Sequence, residues 1–168
     1  MSKPLVLTVI GDDHPGIVNL LSDVAQRFGA NWVGSRMASL AGQFAGIVHF
    51  EVPEQNTEPL ANALRGLISS GLHVAIAMGD SSARPGAHRI VRLELTGNDR
   101  PGIVRDLSGR LARRGVSIEE LHTEVVSAAM SADPLFKVKA RLAVPAAISD
   151  ADLKRELEAL ATEMMVDF

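Results

Sequence analysis

Two short stretches of the chain contain residue types that could bind a small zwitterion. One is Gly11-Asp12-Asp13-His14-Pro15-Gly16 and the other is Gly97-Asn98-Asp99-Arg100-Pro101-Gly102. Each follows an apolar run and opens a helical pattern, so each would present free backbone N–H groups and the positive end of a helix dipole to a carboxylate. The carboxylate of Asp13 or Asp99 could accept hydrogen bonds from an ammonium group. Gly16 and Gly102 would let the backbone approach the ligand closely.

Structural roles are also open to these residues. Asp13 and Asp99 could be helix N-caps, with Pro15 and Pro101 in the first helical turn. The Pro-Gly pairs are typical of turns and of close backbone packing. Asp12-Asp13-His14 does not predict catalysis, because no serine or cysteine nucleophile accompanies it and Arg100 stands in the place of His14 in the second stretch. We therefore expect no catalytic residues, and the protein is predicted not to be an enzyme.

The two stretches belong to an internal repeat. Residues 11–18 align with residues 97–104 at an offset of 86, with six of eight positions identical. Farther along, Phe44 aligns with Phe136 at an offset of 92, so the second copy holds about six extra residues, around residues 128–134. A period this long predicts two whole domains and not a solenoid. The expected boundaries are a first domain at 1–79, a linker at 80–87 and a second domain at 88–168.

Both copies are predicted to have the element order βαββαβ. The strand-like runs are residues 5–10, 31–40, 46–52 and 72–78 in the first copy, and 89–95, 117–126 and 135–144 in the second. Only residues 164–168 remain for a last strand in the second copy, so that strand is expected to be short or missing. This order suits an α+β fold in which a four-stranded antiparallel sheet carries two helices on one face.

Helical periodicity gives the residues expected to face the core. The first helix of the first copy has an apolar face, and the second copy has a thinner one because Asp106 and Arg110 replace apolar residues. Gly29 and Gly115 are predicted C-caps, and Thr57 and Ser149 are predicted N-caps of the second helices. The predicted apolar positions are Ile17, Leu20, Leu21, Val24, Ala25, Phe28, Leu60, Leu64, Leu67 and Ile68 in the first copy, and Ile103, Leu107, Leu111, Leu153, Leu157, Leu160 and Ala161 in the second.

Composition argues against several classes of function. The net charge is −3, and both halves are slightly acidic, so binding of nucleic acid through its phosphates is not expected. There is no cysteine, and the five histidines lack metal-ligand spacing, so neither a metal site nor a cofactor is predicted. The N-terminus does not resemble a signal peptide, and no apolar run reaches 18 residues. These features predict a cytoplasmic protein without a membrane partner.

The repeated strand, Gly-x-Asp-x-Pro-Gly-Ile-Val turn and glycine-terminated helix resemble the ACT domain. Two such domains that fill the chain resemble the glycine cleavage system transcriptional repressor group. The resemblance implies two ferredoxin-like domains that bind an amino acid at an interface between ACT domains, through the first loop and the start of the second strand. Carried over by position, the ligand-binding residues are Gly11, Asp12, Asp13, His14, Gly16 and Asn31, and Gly97, Asn98, Asp99, Gly102 and Ser117.

The two implied sites differ, because Ser117 has one hydroxyl where Asn31 has an amide that both donates and accepts. The resemblance implies an amino-acid sensor, with glycine as a candidate ligand, that controls transcription by contact with a regulator protein and forms a homo-oligomer. A second hypothesis is an interaction module that binds no ligand and dimerises or docks on a metabolic enzyme. Both hypotheses are carried forward. If only one site binds, the first is the expected one.

Overall fold

A computed structural model describes residues 1–79, 86–127, 133–160 and 164–167, which form two compact units, Met1–Ala83 and Arg84–Phe168. Residues 80–85 of the predicted linker and residues 128–132 of the predicted insertion lie outside the described residues. The first unit contains β1 (Ser2–Asp12), α1 (Ile17–Arg27), β2 (Asn31–Leu40), β3 (Gln43–Pro53), α2 (Thr57–Arg65) and β4 (Leu72–Met78). The second contains β5 (His88–Asn98), α3 (Ile103–Arg113), β6 (Ser117–Ser127), β7 (Pro134–Pro145), α4 (Asp150–Glu158) and β8 (Met164–Asp167).

Each unit has a four-stranded antiparallel sheet, in the order β2-β3-β1-β4 in the first unit and β6-β7-β5-β8 in the second. The predicted fold class is confirmed for both copies. The strands extend two or three residues beyond several of the predicted bounds: β3 begins at Gln43 and not at Gly46. The last strand of the second unit has four residues, whereas its counterpart β4 has seven.

The alternation of side chains explains how each sheet packs on its helices. Leu5, Leu7 and Val9 of β1 are buried against α1 and α2, and Val91, Leu93 and Leu95 occupy the same positions in β5. Each unit therefore has its own hydrophobic core. The predicted difference between the helices is also confirmed, since α1 buries Ile17, Leu21, Val24 and Ala25, while α3 buries only Ile103, Leu107 and Leu111.

Three predictions about the helices are wrong. Neither Asp13 nor Asp99 is an N-cap, because the Pro-Gly turn delays each helix and leaves Gly16 or Gly102 as the flanking residue, at φ of 97° and 89°. No side chain caps either helix. Thr57 is the first residue of α2, preceded by a 3₁₀ turn at Glu54–Asn56. Ile68 is 60% exposed, because a 3₁₀ turn at Gly66–Ser70 rotates it away from the core.

Other predicted helix ends are confirmed. The hydroxyl of Ser149 accepts a hydrogen bond from the Asp152 N–H at 3.1 Å and donates one to the Asp152 carboxylate at 2.7 Å. These two bonds fix the start of α4. Gly29 and Gly115, at φ of 65° and 69°, end the first helix of each unit in the left-handed conformation that glycine adopts most readily.

The uncovered faces of the two sheets have opposite character. In the first unit the outward positions of the central strands carry apolar or small side chains: Val6, Thr8, Ile10, Ala45 and Ile47. In the second unit the corresponding positions carry Arg92, Glu94, Thr96, Lys137 and Lys139, and Arg141 occupies the position of His49. Arg92 and Arg141 thus lie on the solvent-facing side of their strands, as predicted. The two copies therefore share the pattern of buried residues but differ on the outer face of the sheet.

Candidate functional site

The loop between β1 and α1 brings most of the predicted site residues of the first unit together. Gly11 and Asp12 end β1, Asp13 and His14 form the exposed loop, and Gly16 directly precedes α1. The Gly16 carbonyl accepts the first helical hydrogen bond, from the Leu20 N–H at 2.9 Å. The preceding N–H groups of the first turn have no partner within a helix, and no acidic side chain lies in that turn. This helix start can therefore accept an anion.

Gly11 and Gly16 are required for different reasons. A Cβ atom on Gly11 would lie 2.6 Å from the Gly71 carbonyl oxygen, so glycine there permits close packing between β1 and the start of β4. A Cβ atom on Gly16 would meet nothing within 4 Å, and it is the positive φ that favours glycine. The space above Gly16 is open to a ligand.

A hairpin holds the two carboxylates of the loop. The Asp13 N–H donates to the Gly42 carbonyl at 2.9 Å, and the Asp13 carboxylate accepts a hydrogen bond from the Ser39 hydroxyl at 2.6 Å. The Asp12 carboxylate accepts one from the Gln43 amide at 2.7 Å. We call these three bonds the hairpin clasp. Ser39 and Gln43 were not predicted, because Gln43 comes to lie opposite Asp12 only through the register between β1 and β3.

The second loop has the same backbone but different side-chain partners. The Asp99 N–H donates to the Pro134 carbonyl at 3.0 Å, and Gly102 precedes α3 as Gly16 precedes α1. The positions of Ser39 and Gln43 are occupied by Val125 and Leu135, which face Phe136 and Asn98 in the same strand register. Neither side chain can donate a hydrogen bond, so these two positions cannot provide the side-chain bonds of the clasp.

An ion pair also occupies the second helix start. Asp106 lies in the first turn of α3, and its carboxylate contacts the Arg100 guanidinium at 3.0 Å. The Asp106 carboxylate already complements the positive end of the helix and would repel a second anion. The start of α1 has neither group, because His14 replaces Arg100 and Leu20 replaces Asp106. His14 Nδ1 lies 3.0 Å from the carbonyl oxygen of the neighbouring Pro15.

Asn31 and Ser117 lie far from the loop of their own unit. Asn31 pairs with Glu51, which pairs with Pro4, whereas Asp12 lies eight residues farther along β1. At about 3.4 Å per residue the two groups are roughly 27 Å apart. In the second unit Ser117 pairs with Ala143, which pairs with Ile90, and Asn98 lies eight residues farther along β5. One unit therefore does not assemble the loop and the second-strand residue into one site, and a ligand that touches both would need an additional ACT-like unit.

Across residues 1–79, 86–127, 133–160 and 164–167, no group of three or more histidine, aspartate or glutamate side chains is arranged to hold a metal ion. None of the helices there is long and apolar enough to cross a membrane.

The fold and the two loops define a protein built from two copies of one α+β domain. A family model of the ACT domain matches residues 3–76 and again residues 89–168. The chain therefore belongs to the ACT domain family, and it consists of two ACT units.

Relatives cover nearly the full length of the chain. The glycine cleavage system transcriptional repressor of Escherichia coli (strain K12) is 25% identical over 162 residues, which cover 95% of this chain and 85% of that protein. A crystal structure of an unknown protein from Galdieria sulphuraria has a TM-score of 0.85 at 29% identity, covering 99% and 97% of the two chains. A crystal structure of a protein provisionally assigned as a glycine cleavage system transcriptional repressor has a TM-score of 0.73 at 20% identity, with the same coverage.

These relatives and the ACT domain match support a regulatory role for the chain. The curated relatives are named as repressors and not as enzymes. Similarity at 20% identity shows a common fold.

Proposed function

We propose that this protein senses an amino acid through the first of its two loops and regulates transcription by contact with a regulator protein. The observation that carries the proposal is the start of α1, where the first-turn N–H groups have no partner within the helix, no acidic side chain occupies that turn, and Asp13 lies in the loop that leads into the helix. An α-carboxylate fits the N–H groups, and an α-ammonium fits the carboxylate oxygen that Ser39 does not use.

The proposed ligand-binding residues of the first loop are Gly11, Asp12, Asp13, His14 and Gly16. Gly97, Asn98, Asp99 and Gly102 form the weaker second loop, where Arg100 and Asp106 already pair. Asn31 and Ser117 would complete a site only when a second ACT unit supplies them, for example from another copy of the chain. Such a requirement supports a homo-oligomer as the binding form.

Glycine is the first ligand to test, because the curated relatives are named for the glycine cleavage system. The absence of an excess of basic side chains supports control through protein contact and not through direct DNA binding. A transcriptional role would place the protein in the cytoplasm, where the regulator acts.

Fluorescence and calorimetry would test ligand binding. Trp32 is the only tryptophan, follows Asn31 directly and packs edge-on against Phe50 at 5.2 Å between ring centroids. Glycine and the other standard amino acids would be titrated while Trp32 emission and heat are recorded. Saturable binding of one or a few amino acids is expected. The absence of heat and of a thermal shift with every amino acid would remove the sensing proposal.

A second candidate function is an interaction module that binds no ligand. The hairpin clasp favours it, because Asp12 and Asp13 each already use one carboxylate oxygen within the protein. In this case the sedimentation behaviour would be the same with and without amino acids. A ligand-dependent change in mass would argue for the sensor.

A further inference from the structure

The uncovered sheet face of the first unit is an apolar surface without charged side chains at its centre. Directly paired residues share a face, so the register gives three rows across β4, β1, β3 and β2. The rows are Ala77-Val6-His49-Gly34, Ala75-Thr8-Ile47-Arg36 and His73-Ile10-Ala45-Ala38. We call these twelve residues the open face.

Apolar side chains of the open face are accessible to solvent. Ile10 and Ile47 are 48% and 53% exposed, and Ala45, Ala75 and Ala77 are exposed as well. Of its charged or titratable groups, Arg36 and His73 lie on the edge strands β2 and β4, and His49 lies on β3 in an outer row. Polar residues, including Asp12, Gln43 and Glu51, lie in the next rows beyond each end. An apolar centre with a polar rim is the usual anatomy of a protein interface.

The second unit shows that this fold does not require an apolar outer face. Its counterpart carries Arg92, Glu94, Lys137, Lys139 and Arg141, of which Arg141 pairs with Glu119 at 2.7 Å and Lys139 lies 3.7 Å from Glu94. Such a face is stable in water. The apolar residues of the first unit are therefore a specific property of that unit, and a continuous exposed patch of this kind marks an interaction surface.

We infer that the open face binds the open face of a second copy of this chain, with the two sheets packed face to face. The chemistry selects this partner, because an apolar centre needs an apolar partner and the charged face of the second unit would lose solvation against it. Alanine, threonine and valine leave room for sheets to approach to about 10 Å. A two-fold arrangement needs only one self-complementary surface.

The size of the open face predicts a weak dimer. Four strands span about 19 Å, and the three rows with their polar rims extend for about 27 Å, so two faces bury on the order of 1,000 Å². This area is at the low end of specific interfaces, which corresponds to transient association in the micromolar range. The contact does not depend on the amino-acid site, so it can be tested without any ligand.

Sedimentation of the full chain would test the inference. We expect the weight-average mass to rise from 17.9 kDa toward twice that value between about 1 and about 100 µM. Ile47→Glu should keep the chain near 17.9 kDa throughout, because the new carboxylates would be buried at the centre of the interface. Val18→Glu is the matched control, since Val18 is 48% exposed on α1 and lies outside the open face. Circular dichroism would verify that both variants fold.

Cross-linking provides a second measurement that leaves the face nearly intact. The chain has no cysteine, so Thr8→Cys places a single thiol at the centre of the open face. A short bis-maleimide should join two Thr8→Cys chains, and Val18→Cys chains should remain single. A wild-type chain that stays at 17.9 kDa at every concentration would overturn the inference. So would an Ile47→Glu variant that dimerises as the wild type does, because the contact would then lie elsewhere.

Discussion

The two ACT units have the same fold but different surfaces, and the difference separates what the fold needs from what a function needs. Both units keep the buried residues of the first strand, the Pro-Gly turn and the left-handed glycine before the first helix. They diverge on the outer sheet face and around the loop before the first helix. The first unit has an apolar open face and a clasped loop, while the second has a charged face and an ion pair over its helix start.

The helix layers diverge in the same way. Arg110 of α3 and Arg114, which directly follows α3, contact Glu156 of α4 at 3.7 and 2.8 Å, and the Glu156 side chain is 18% exposed. The equivalent positions of the first unit carry Val24, Phe28 and Ala63, which pack on its hydrophobic core. The second unit thus replaces apolar contacts with ion pairs, which stabilise a surface without offering it to an apolar partner. We infer that binding functions are concentrated in the first unit.

Removing the hairpin clasp should have the largest effect on stability. Ser39→Ala combined with Gln43→Ala deletes both hydrogen bonds to the loop carboxylates, so the first unit should lose about 1–2 kcal/mol of unfolding free energy. Urea unfolding followed by Trp32 emission would measure this loss, because Trp32 reports on the first unit only. Ser127→Ala, in β6 of the second unit, is the control and should leave that transition unchanged. An unchanged transition in the double variant would mean that the clasp does not stabilise the loop.

Relieving the hairpin turn should stabilise the first unit. Ala41 and Gly42 join β2 to β3 at φ of 51° and 80°, the backbone of a two-residue turn that prefers Asn-Gly. Alanine is strained at positive φ, so Ala41→Asn should raise the unfolding free energy by about 0.5–1 kcal/mol. Trp32 emission in urea is again the readout. A loss of stability would show that the turn conformation differs from the one described.

Acid should remove the contribution of the Glu156 cluster. The hydrogen bond from Arg114 first, and then the charges of Arg114, Arg110 and Arg113, hold the pKa of Glu156 below its ordinary value of 4.5. A lowered pKa in the folded state means that the stabilisation is complete above about pH 4.5 and is lost as the pH falls through the lower folded value. Glu156→Gln should therefore have a lower melting temperature than the wild type at pH 7, and the difference should narrow as the pH falls below about 4.5. A difference that stays constant as the solution is acidified would contradict this assignment.

Sequence reasoning succeeded where a pattern depends on local periodicity. The buried faces of α1 and α3 and the Ser149 cap follow from residue types at short spacing, and the repeat follows from two matching motifs at an offset of 86. It failed where a turn delayed a helix: Asp13 and Asp99 were predicted as N-caps, but the Pro-Gly turn leaves glycine there. The clasp was missed because its partners are 26 and 31 residues apart and meet only through the strand register.

The separation of the predicted site residues could be seen only in the structure. The family resemblance assigns the loop residues and Asn31 to one binding site. The strand register separates Asn31 from Asp12 by the length of the sheet, and this distance depends on pairings between β1, β2 and β3. The opposite characters of the two outer faces were likewise present in the sequence, but only the register assembles them into rows.

The most direct test of the account compares the two loops in amino-acid binding. Asp13→Asn and Asp99→Asn each remove one negative charge at equivalent positions, and both would be titrated calorimetrically with the amino acid that the wild type binds. We predict that Asp13→Asn weakens binding about 10-fold or more, because the ammonium loses its charged partner, while Asp99→Asn binds as the wild type does. Equal weakening in both variants, or weakening in Asp99→Asn alone, would contradict the assignment of sensing to the first unit.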